Sequence, residues 1–134
     1  MREEDQMTTL AFVNLPVADL GRSTTFFEAL GYRFNPQFTD AYAACMVVQE
    51  GSIHAMLLVE SFFKTFTDKA ITDTRTSTEV LLCLSCESRA EVDELVAKAV
   101  AAGGTTPRAP QDLGFMYGHG FQDLDGHLWE LVFM

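Results

Sequence analysis

The sequence predicts an α+β fold of two tandem βαβββ modules, whose strands form a curved, mostly antiparallel sheet around a cavity, with the helices outside. Two observations predict this fold. Strand-like and helix-like segments follow one another in the same order twice along the chain. Each half is also too small to bury its own helix and sheet, so the two halves must combine. The concave face of the sheet is then the natural place for a ligand.

The first module, residues 9–60, begins with a strand that ends at Val17. A helix follows, with Asp19 as its predicted N-cap and Gly31 just past its end. Three runs rich in aromatic and aliphatic residues then predict three more strands, over residues 32–38, 43–48 and 53–59.

The second module repeats the pattern after a polar linker. The linker, residues 61–77, contains a short amphipathic helix and leads into a module that covers residues 78–134. The run 79–85 predicts a strand, and Ser88 with Glu91 forms a capping box that opens the next helix. A pair of glycines ends that helix. The same βα order as in the first module therefore returns.

Three further strands complete the second module. The aromatic and aliphatic runs place them at residues 105–108, 114–122 and 127–133. The dipeptide Asp125-Gly126 between the last two strands indicates a tight hairpin turn. At the other end of the chain, residues 1–8 are polar and are predicted to form a flexible tail. Residues 9–134 are thus expected to form a single domain.

Composition limits the classes of function. The chain has 134 residues, 48% of them hydrophobic, which suffices for one core and is too short for two conventional domains. The 19 acidic and 9 basic residues give a formal net charge of -10, so the surface repels phosphate backbones and anionic lipid headgroups. We therefore expect no nucleic-acid partner and no membrane partner.

The expected location is the cytoplasm. No apolar run approaches the roughly 20 residues needed to span a bilayer. The first residues, 1–6, are acidic where a signal peptide would be basic and then apolar. The three cysteines are an odd number, which favours free thiols over a disulfide framework.

Strand alternation selects the residues that face the cavity, because successive side chains point to opposite faces. In the first strand, Phe12 and Asn14 lie opposite to the apolar face. In the last strand, Glu130 lies on one face between Leu128 and Val132. A solvated glutamate is the simpler interpretation of Glu130. A carboxylate that accepts a proton, holds a ligand or binds a metal is the functional one, and the two apolar neighbours favour it.

Other candidate residues carry weaker signals. Glu79 lies at the start of a predicted strand. An exposed glutamate and a functional one are about equally expected at such a position. His54 lies in the middle of a strand, with Met56 as its next neighbour on the same face. A histidine in such a position is more often structural than functional. Cys83 and Cys86 have the spacing of a redox pair, but residues three apart in a strand face opposite sides.

The segments PVADLGRSTTFFEALGY and FQDLDGHLWELVF resemble those of the vicinal oxygen chelate superfamily. This superfamily holds glyoxalase I, bleomycin-resistance proteins, fosfomycin-resistance enzymes and extradiol dioxygenases. The resemblance covers the chain from Leu10 to Met134. The segments FVNLPVADL, STEVLLCLS and GFMYG are most similar to small bacterial proteins labelled predicted lactoylglutathione lyase or glyoxalase-like. The resemblance implies the same fold as the doubled βαβββ pattern.

In metal-dependent members of this superfamily, four side chains from four strands converge on a divalent ion. The resemblance places these positions on Phe12, Met56 or Leu57, Glu79 and Glu130. Two carboxylates without an imidazole make a poor site for nickel or zinc. A divalent metal such as nickel, zinc or manganese is therefore an alternative that the sequence does not favour. Asn14 or His54 are the side chains that would have to substitute at the two positions without a ligand.

The resemblance implies two functions. One is a lyase or isomerase of the lactoylglutathione lyase type, in which Glu130 moves a proton between adjacent carbons and Glu79 assists. The alternative is a non-catalytic or resistance protein that sequesters a small, possibly cationic molecule, like the bleomycin-resistance proteins. In either case the substrate-binding residues are expected to be Phe12, Asn14, His54, Met56 and Tyr117. A purely structural module would leave Asn14 and Glu130 without a role.

A homodimer is also expected. Relatives of this size usually pair, either with modules side by side or exchanged between chains. An exposed strand edge on each half of the chain gives a physical reason for pairing, because its backbone N–H and C=O groups lack partners.

Overall fold

The computed structural model describes residues 9–134, and the predicted tail, residues 1–8, lies outside the described residues. The described chain forms two four-stranded sheets. The first sheet contains β1 (Ala11–Val17), β2 (Arg33–Asn35), β3 (Ala43–Gln49) and β4 (Ile53–Val59), in the order β1-β4-β3-β2. The second contains β5 (Leu81–Ser85), β6 (Gln111–Asp112), β7 (Tyr117–Gln122) and β8 (Leu128–Phe133), in the order β5-β8-β7-β6. The predicted doubling of the βαβββ unit is confirmed.

Helices connect the strands: α1 (Leu20–Ala29), α2 (Glu60–Phe63) and α3 (Arg89–Ala101). The Asp19 carboxylate accepts the N–H of Arg22 at 3.1 Å and caps α1, as predicted. The Ser88 hydroxyl accepts the N–H of Glu91 at 3.0 Å and caps α3. The reciprocal bond differs from a standard capping box, because the Glu91 carboxylate accepts from the backbone N–H of Glu87 at 2.7 Å.

Several predicted strand boundaries are wrong, and proline explains two of them. The predicted strand 105–108 is a loop in which only Thr105 forms a bridge, to Gln122. Pro107 and Pro110 lack the N–H that a ladder needs. The predicted strand 32–38 ends early for the same reason, since a short 3-10 helix begins at Pro36. The strand predicted over 79–85 begins only at Leu81.

The strands form two separate sheets instead of the single curved sheet that the sequence predicts. The physical reason lies in α1, whose aromatic side chains contact the second module. The ring centroids of Phe26 and Phe121 are 6.0 Å apart, and those of Phe27 and Trp129 are 5.3 Å apart. All four rings are buried. The helix-covered faces of both sheets therefore meet in one core, and each sheet turns its other face away from the helices.

The turn between β7 and β8 joins the two modules through polar contacts. The Asp125 carboxylate accepts the N–H of Ala18 at 2.8 Å and the hydroxyl of Ser23 at 2.9 Å. The Thr74 hydroxyl of the linker donates to the Asp125 carbonyl. Gly126 has a φ of 88°, and a Cβ there would lie 2.6 Å from the Thr74 hydroxyl oxygen. Only glycine fits this turn without moving the linker.

Within residues 9–134, none of the helices combines the length and the apolar character that crossing a membrane requires.

Candidate functional site

A cavity of about 410 Å³ opens on the face of the second sheet that is turned away from the helices. Strands β7 and β8 form its floor. The loop residues 107–109, with Gln111 at the start of β6, form part of its wall. Its apolar lining includes Leu81, Met116, Leu128 and Val132, and its polar lining includes Arg108, His119, Gln122 and Glu130. A mainly apolar cavity with a few polar groups is typical of small-molecule sites.

Glu130 lies on the floor of this cavity and is partly buried. Its direct partner across the β7–β8 ladder is Gly120. A Cβ added at Gly120 would lie 2.7 Å from Oε2 of Glu130, so the missing side chain leaves the space that the carboxylate occupies. Among residues 9–134 the carboxylate makes no side-chain hydrogen bond and no ion pair. It is therefore available to a ligand.

The sequence reasoning missed the two glycines of β7. Gly118 and Gly120 both lie on the cavity face, as their register with Val132 and Glu130 shows. Because they have no side chains, the floor beside Glu130 is bare backbone. The sequence does contain an indication of this face. Two glycines two positions apart in a strand lie on the same face, and glycine in a strand often marks a place where a ligand or another backbone approaches closely.

Arg108 was also missed, because its segment was predicted to be a strand. Its loop is held in place from two sides. The ring nitrogen Nε2 of His119 lies 3.0 Å from the Arg108 carbonyl, which can only accept, so His119 donates. Arg89 forms a two-bond ion pair with Asp112, at 2.6 and 3.0 Å. The Arg89 guanidinium, with the N–H of Gly114, lowers the pKa of Asp112 to about 2.

Four predicted site residues lie together on the first sheet. Phe12 and Asn14 are in register with His54 and Met56, and all four occupy the face turned away from the helices. The Phe12 ring stacks on His54 with 4.7 Å between centroids. The Nδ1 atom of His54 is buried without a hydrogen-bond partner among the described residues. None of the four lines the cavity at Glu130.

Tyr117 and Glu79 occupy other positions. The Tyr117 hydroxyl donates to Asp93 of α3 at 2.6 Å, so Tyr117 lies on the helix side of β7. Glu79 precedes β5, and its Oε1 lies 3.4 Å from Nδ1 of His127. Neither residue lines the cavity. The structure therefore does not bring the predicted residues of the two modules into one shared cavity.

The side chains at the four superfamily metal positions do not fit a divalent ion. Phe12 has no donor atom, and the Met56 thioether is a soft ligand. The Glu79 carboxylate faces His127 and not Glu130. Across residues 9–134, no group of three or more histidine, cysteine, aspartate or glutamate side chains is placed to hold a metal. The side chains at these four positions therefore do not provide the donor set of a divalent metal site.

His127 makes the stability of the protein depend on pH. Its ring is 1% exposed, and Nε2 lies 2.8 Å from the Pro16 carbonyl. Burial disfavours the charged ring, but the charge of Asp123, the Pro16 carbonyl and Glu79 together outweigh burial and raise the pKa of His127 above 6.5. Its contribution to stability is then complete below the unfolded-state pKa, and it is lost as pH rises through the folded-state pKa.

We therefore expect the free energy of unfolding to fall as the pH rises from about 6.5, the ordinary pKa of histidine, through the higher pKa of His127 in the folded state. Urea unfolding measured at several pH values checks this. The variant His127→Gln should be less stable at the acidic end and should show a flatter pH profile. An unchanged slope in this variant would assign the pH dependence to other groups.

Comparisons with known proteins agree with this fold. A family model described as bleomycin resistance protein-like N-terminal matches residues 9–49. The hypothetical protein SA1046 from S. aureus is 30% identical, with a TM-score of 0.79 over 98% of this chain and 97% of that one. A glyoxalase-related enzyme from Fulvimarina pelagi is 23% identical, with a TM-score of 0.77 over 96% and 89% of the two chains. A comparison with curated proteins gives no match.

A bleomycin resistance determinant encoded on the transposon Tn5 is 22% identical, with a TM-score of 0.63 over 93% of this chain and 97% of that one. The paired βαβββ modules and the cavity on an uncovered sheet face define a mixed α+β protein built like these glyoxalase and resistance proteins. The chain belongs to the glyoxalase/bleomycin resistance/dioxygenase superfamily, the vicinal oxygen chelate proteins.

Proposed function

We propose that this protein binds a small molecule in the cavity of the second sheet and that the Glu130 carboxylate contacts it. One observation carries the proposal: the carboxylate lies over Gly120 in a mainly apolar cavity, without a partner among residues 9–134. A partly buried carboxylate has lost some of its hydration, and it has gained no hydrogen bond in exchange. A donor group on a ligand would supply that bond, and bonds to charged groups are the stronger ones.

The name of the Tn5 relative suggests one form of this function, which is sequestration. A protein that removes a small molecule needs a cavity and complementary charge, and it needs no reacting group. The net charge of -10 and the Glu130 carboxylate would both favour a ligand with a positive group. We place this non-catalytic, resistance-type binding first, because the metal positions do not fit a metal.

A second candidate is a lyase or isomerase of the lactoylglutathione lyase type. The observation that favours it is again the unpaired carboxylate, since a carboxylate without a donor nearby can take a proton from a bound substrate. Glu130 would act as the base and Glu79, which faces His127, would not take part. An assay with methylglyoxal and glutathione tests this candidate directly. Turnover that disappears in Glu130→Gln would establish it.

The variant Glu130→Gln is expected to lose ligand binding and to keep its fold. Glutamine preserves the shape of glutamate and removes its negative charge. A charge-assisted hydrogen bond contributes about 1.5 to 3 kcal/mol, which corresponds to a loss of roughly tenfold or more in affinity. The measurement is a ligand-observed NMR screen of a mixed fragment library, with thermal unfolding recorded for both proteins.

The matched control for this experiment is Glu94→Gln, which removes one carboxylate from an exposed position on α3. Binding by this variant should equal that of the parent. If Glu130→Gln lowers stability and leaves binding unchanged, Glu130 is a structural residue and the proposal is wrong.

We also propose that the protein forms a homodimer. Strands β1 and β5 are edge strands, so each presents unpaired backbone groups. Both edges carry exposed apolar side chains, with Phe12 48% and Leu81 60% exposed. Pairing of two copies would cover these edges. Light scattering at micromolar concentration should give twice the mass of the chain, and Leu81→Lys should shift it towards the monomer. A monomer mass for the parent would contradict this.

A cytoplasmic location is part of the same proposal. Cys45, Cys83 and Cys86 are free thiols in the structure, as proteins of a reducing compartment have. Burial, with Glu91 and Cys83 nearby, raises the pKa of Cys86 to about 11. This thiol stays protonated near neutral pH and is a poor nucleophile.

A further inference from the structure

Two side chains of opposite charge line the cavity, and they do not pair with each other. Glu130 lies on the floor and Arg108 on the wall loop. Among residues 9–134, neither the Glu130 carboxylate nor the Arg108 guanidinium forms an ion pair. An arginine and a glutamate that face the same space usually approach each other, because their attraction grows as water is excluded. Here both charges remain available.

Strand pairing and a hydrogen bond fix the backbone positions that carry the two side chains. Glu130 is in the middle of β8 and is paired on both sides, with Gly120 and with Cys83. The backbone of Arg108 is held by the hydrogen bond from His119, on a loop whose far end is tied to α3 by the Arg89–Asp112 ion pair. Binding therefore need not first order the segments that carry the two charges.

We infer that the ligand is a zwitterion, a small molecule with an ammonium group for Glu130 and a carboxylate for Arg108. This inference rests on the proposed function and names the class of ligand. An ammonium group donates hydrogen bonds to the Glu130 carboxylate, and the guanidinium fork of Arg108 matches a carboxylate. Leu81, Met116 and the other apolar lining residues would contact the hydrocarbon part of the ligand.

Singly charged ligands fit this lining less well. A purely cationic ligand would satisfy Glu130 and leave its charge close to that of Arg108. A purely anionic ligand would satisfy Arg108 and face Glu130. Like charges brought together on binding reduce affinity, and this repulsion discriminates between ligand classes as effectively as attraction does.

Two matched sets of probes test the inference by isothermal titration calorimetry. The first set is L-phenylalanine, phenethylamine and 3-phenylpropanoate, which share one skeleton and differ in charge. The second is 4-(aminomethyl)benzoate, benzylamine and benzoate, in which the two charges are farther apart. In at least one set, we expect the zwitterion to bind about tenfold or more tighter than both singly charged members.

Two variants assign the contacts. Arg108→Gln should reduce the affinity for the zwitterion to that of the amine, and Glu130→Gln should reduce it to that of the acid. The controls Arg22→Gln and Glu94→Gln remove the same charges from other parts of the surface and should change nothing.

The outcomes separate the inference from the proposed function. If an amine binds as tightly as its zwitterion and Arg108→Gln has no effect, the inference is wrong and binding at Glu130 remains. If none of the six probes binds the parent protein, the inference is also wrong. The proposed function falls only if the mixed library, too, gives no ligand whose binding depends on Glu130.

Discussion

Replacing Asp123 with alanine is expected to lower the free energy of unfolding by about 3 to 5 kcal/mol. The Asp123 side chain is 6% exposed, and it accepts three hydrogen bonds. Oδ1 accepts the backbone N–H groups of Asp125 and His127 at 2.9 and 3.0 Å. Oδ2 accepts the indole N–H of Trp129 at 2.9 Å. Alanine would leave these donors without their partner, and each unsatisfied buried donor costs about 1 to 3 kcal/mol.

The loss should extend beyond the turn itself. Asp123 stabilises the turn between β7 and β8. Two other residues of this turn, Asp125 and His127, form hydrogen bonds to the first module. The Asp123 carboxylate also supports the charged form of His127. Removing it therefore weakens the contact between the two modules as well as the hairpin.

Urea unfolding of the parent and of Asp123→Ala measures this effect. The control is Asp93→Ala, because Asp93 is exposed on α3 and, within residues 9–134, accepts one side-chain hydrogen bond, from Tyr117. We expect the control to lose at most about 1 kcal/mol. Equal losses in the two variants would show that the buried turn has no special part in stability.

Features of the fold that depend on neighbouring residues could be predicted from the sequence. Asp19 and Ser88 cap their helices through bonds to residues three positions later, so the signal lies within one turn of chain. The strand predicted at 53–59 has those same bounds in the structure. Alternation within a strand also placed Phe12 and Asn14 on one face correctly.

Features that depend on distant residues could not be predicted in this way. Phe26 and Phe27 are typical of the apolar face of a helix, but the sequence does not say that their partners are Phe121 and Trp129. Those contacts place the two sheets on either side of a common core. Alternation assigns a side chain to a face of its own sheet, and it does not say which other sheet that face meets. Alternation alone therefore predicts one shared cavity for candidate residues that the structure places on two different sheets.

Glu130 is a candidate residue that the sequence pattern selects for a physical reason, since its neighbours on the same face are apolar. Its same-face neighbours, Leu128 and Val132, line the cavity with it. The sequence pattern did not reveal what Glu130 faces, because Gly120 comes from another strand and the register of β7 with β8 is set by the turn. The effect of the two glycines of β7 on the cavity floor can be inferred only once that register is known.

The two glycines of β7 are expected to respond to alanine in opposite ways. A Cβ at Gly120 would lie 2.7 Å both from Oε2 of Glu130 and from the backbone carbonyl of Trp129. Glu130 can rotate away, but the carbonyl cannot move without opening the β7–β8 ladder. We expect Gly120→Ala to lower stability by about 1 to 3 kcal/mol and to abolish Glu130-dependent binding.

The variant Gly118→Ala is the matched control, because the nearest atoms to a Cβ there are 3.5 Å away, an ordinary contact. The side chain would lie on the cavity floor without displacing the Glu130 carboxylate. Alanine also restricts the unfolded chain more than glycine does, which raises stability by about 0.4 to 1 kcal/mol when the backbone fits. Thermal unfolding of both variants tests the predicted changes in stability. Calorimetry on both variants tests the predicted loss of Glu130-dependent binding. If Gly120→Ala binds as the parent does, the space over Gly120 is not needed for the carboxylate, and the role of Glu130 in this cavity must be given up.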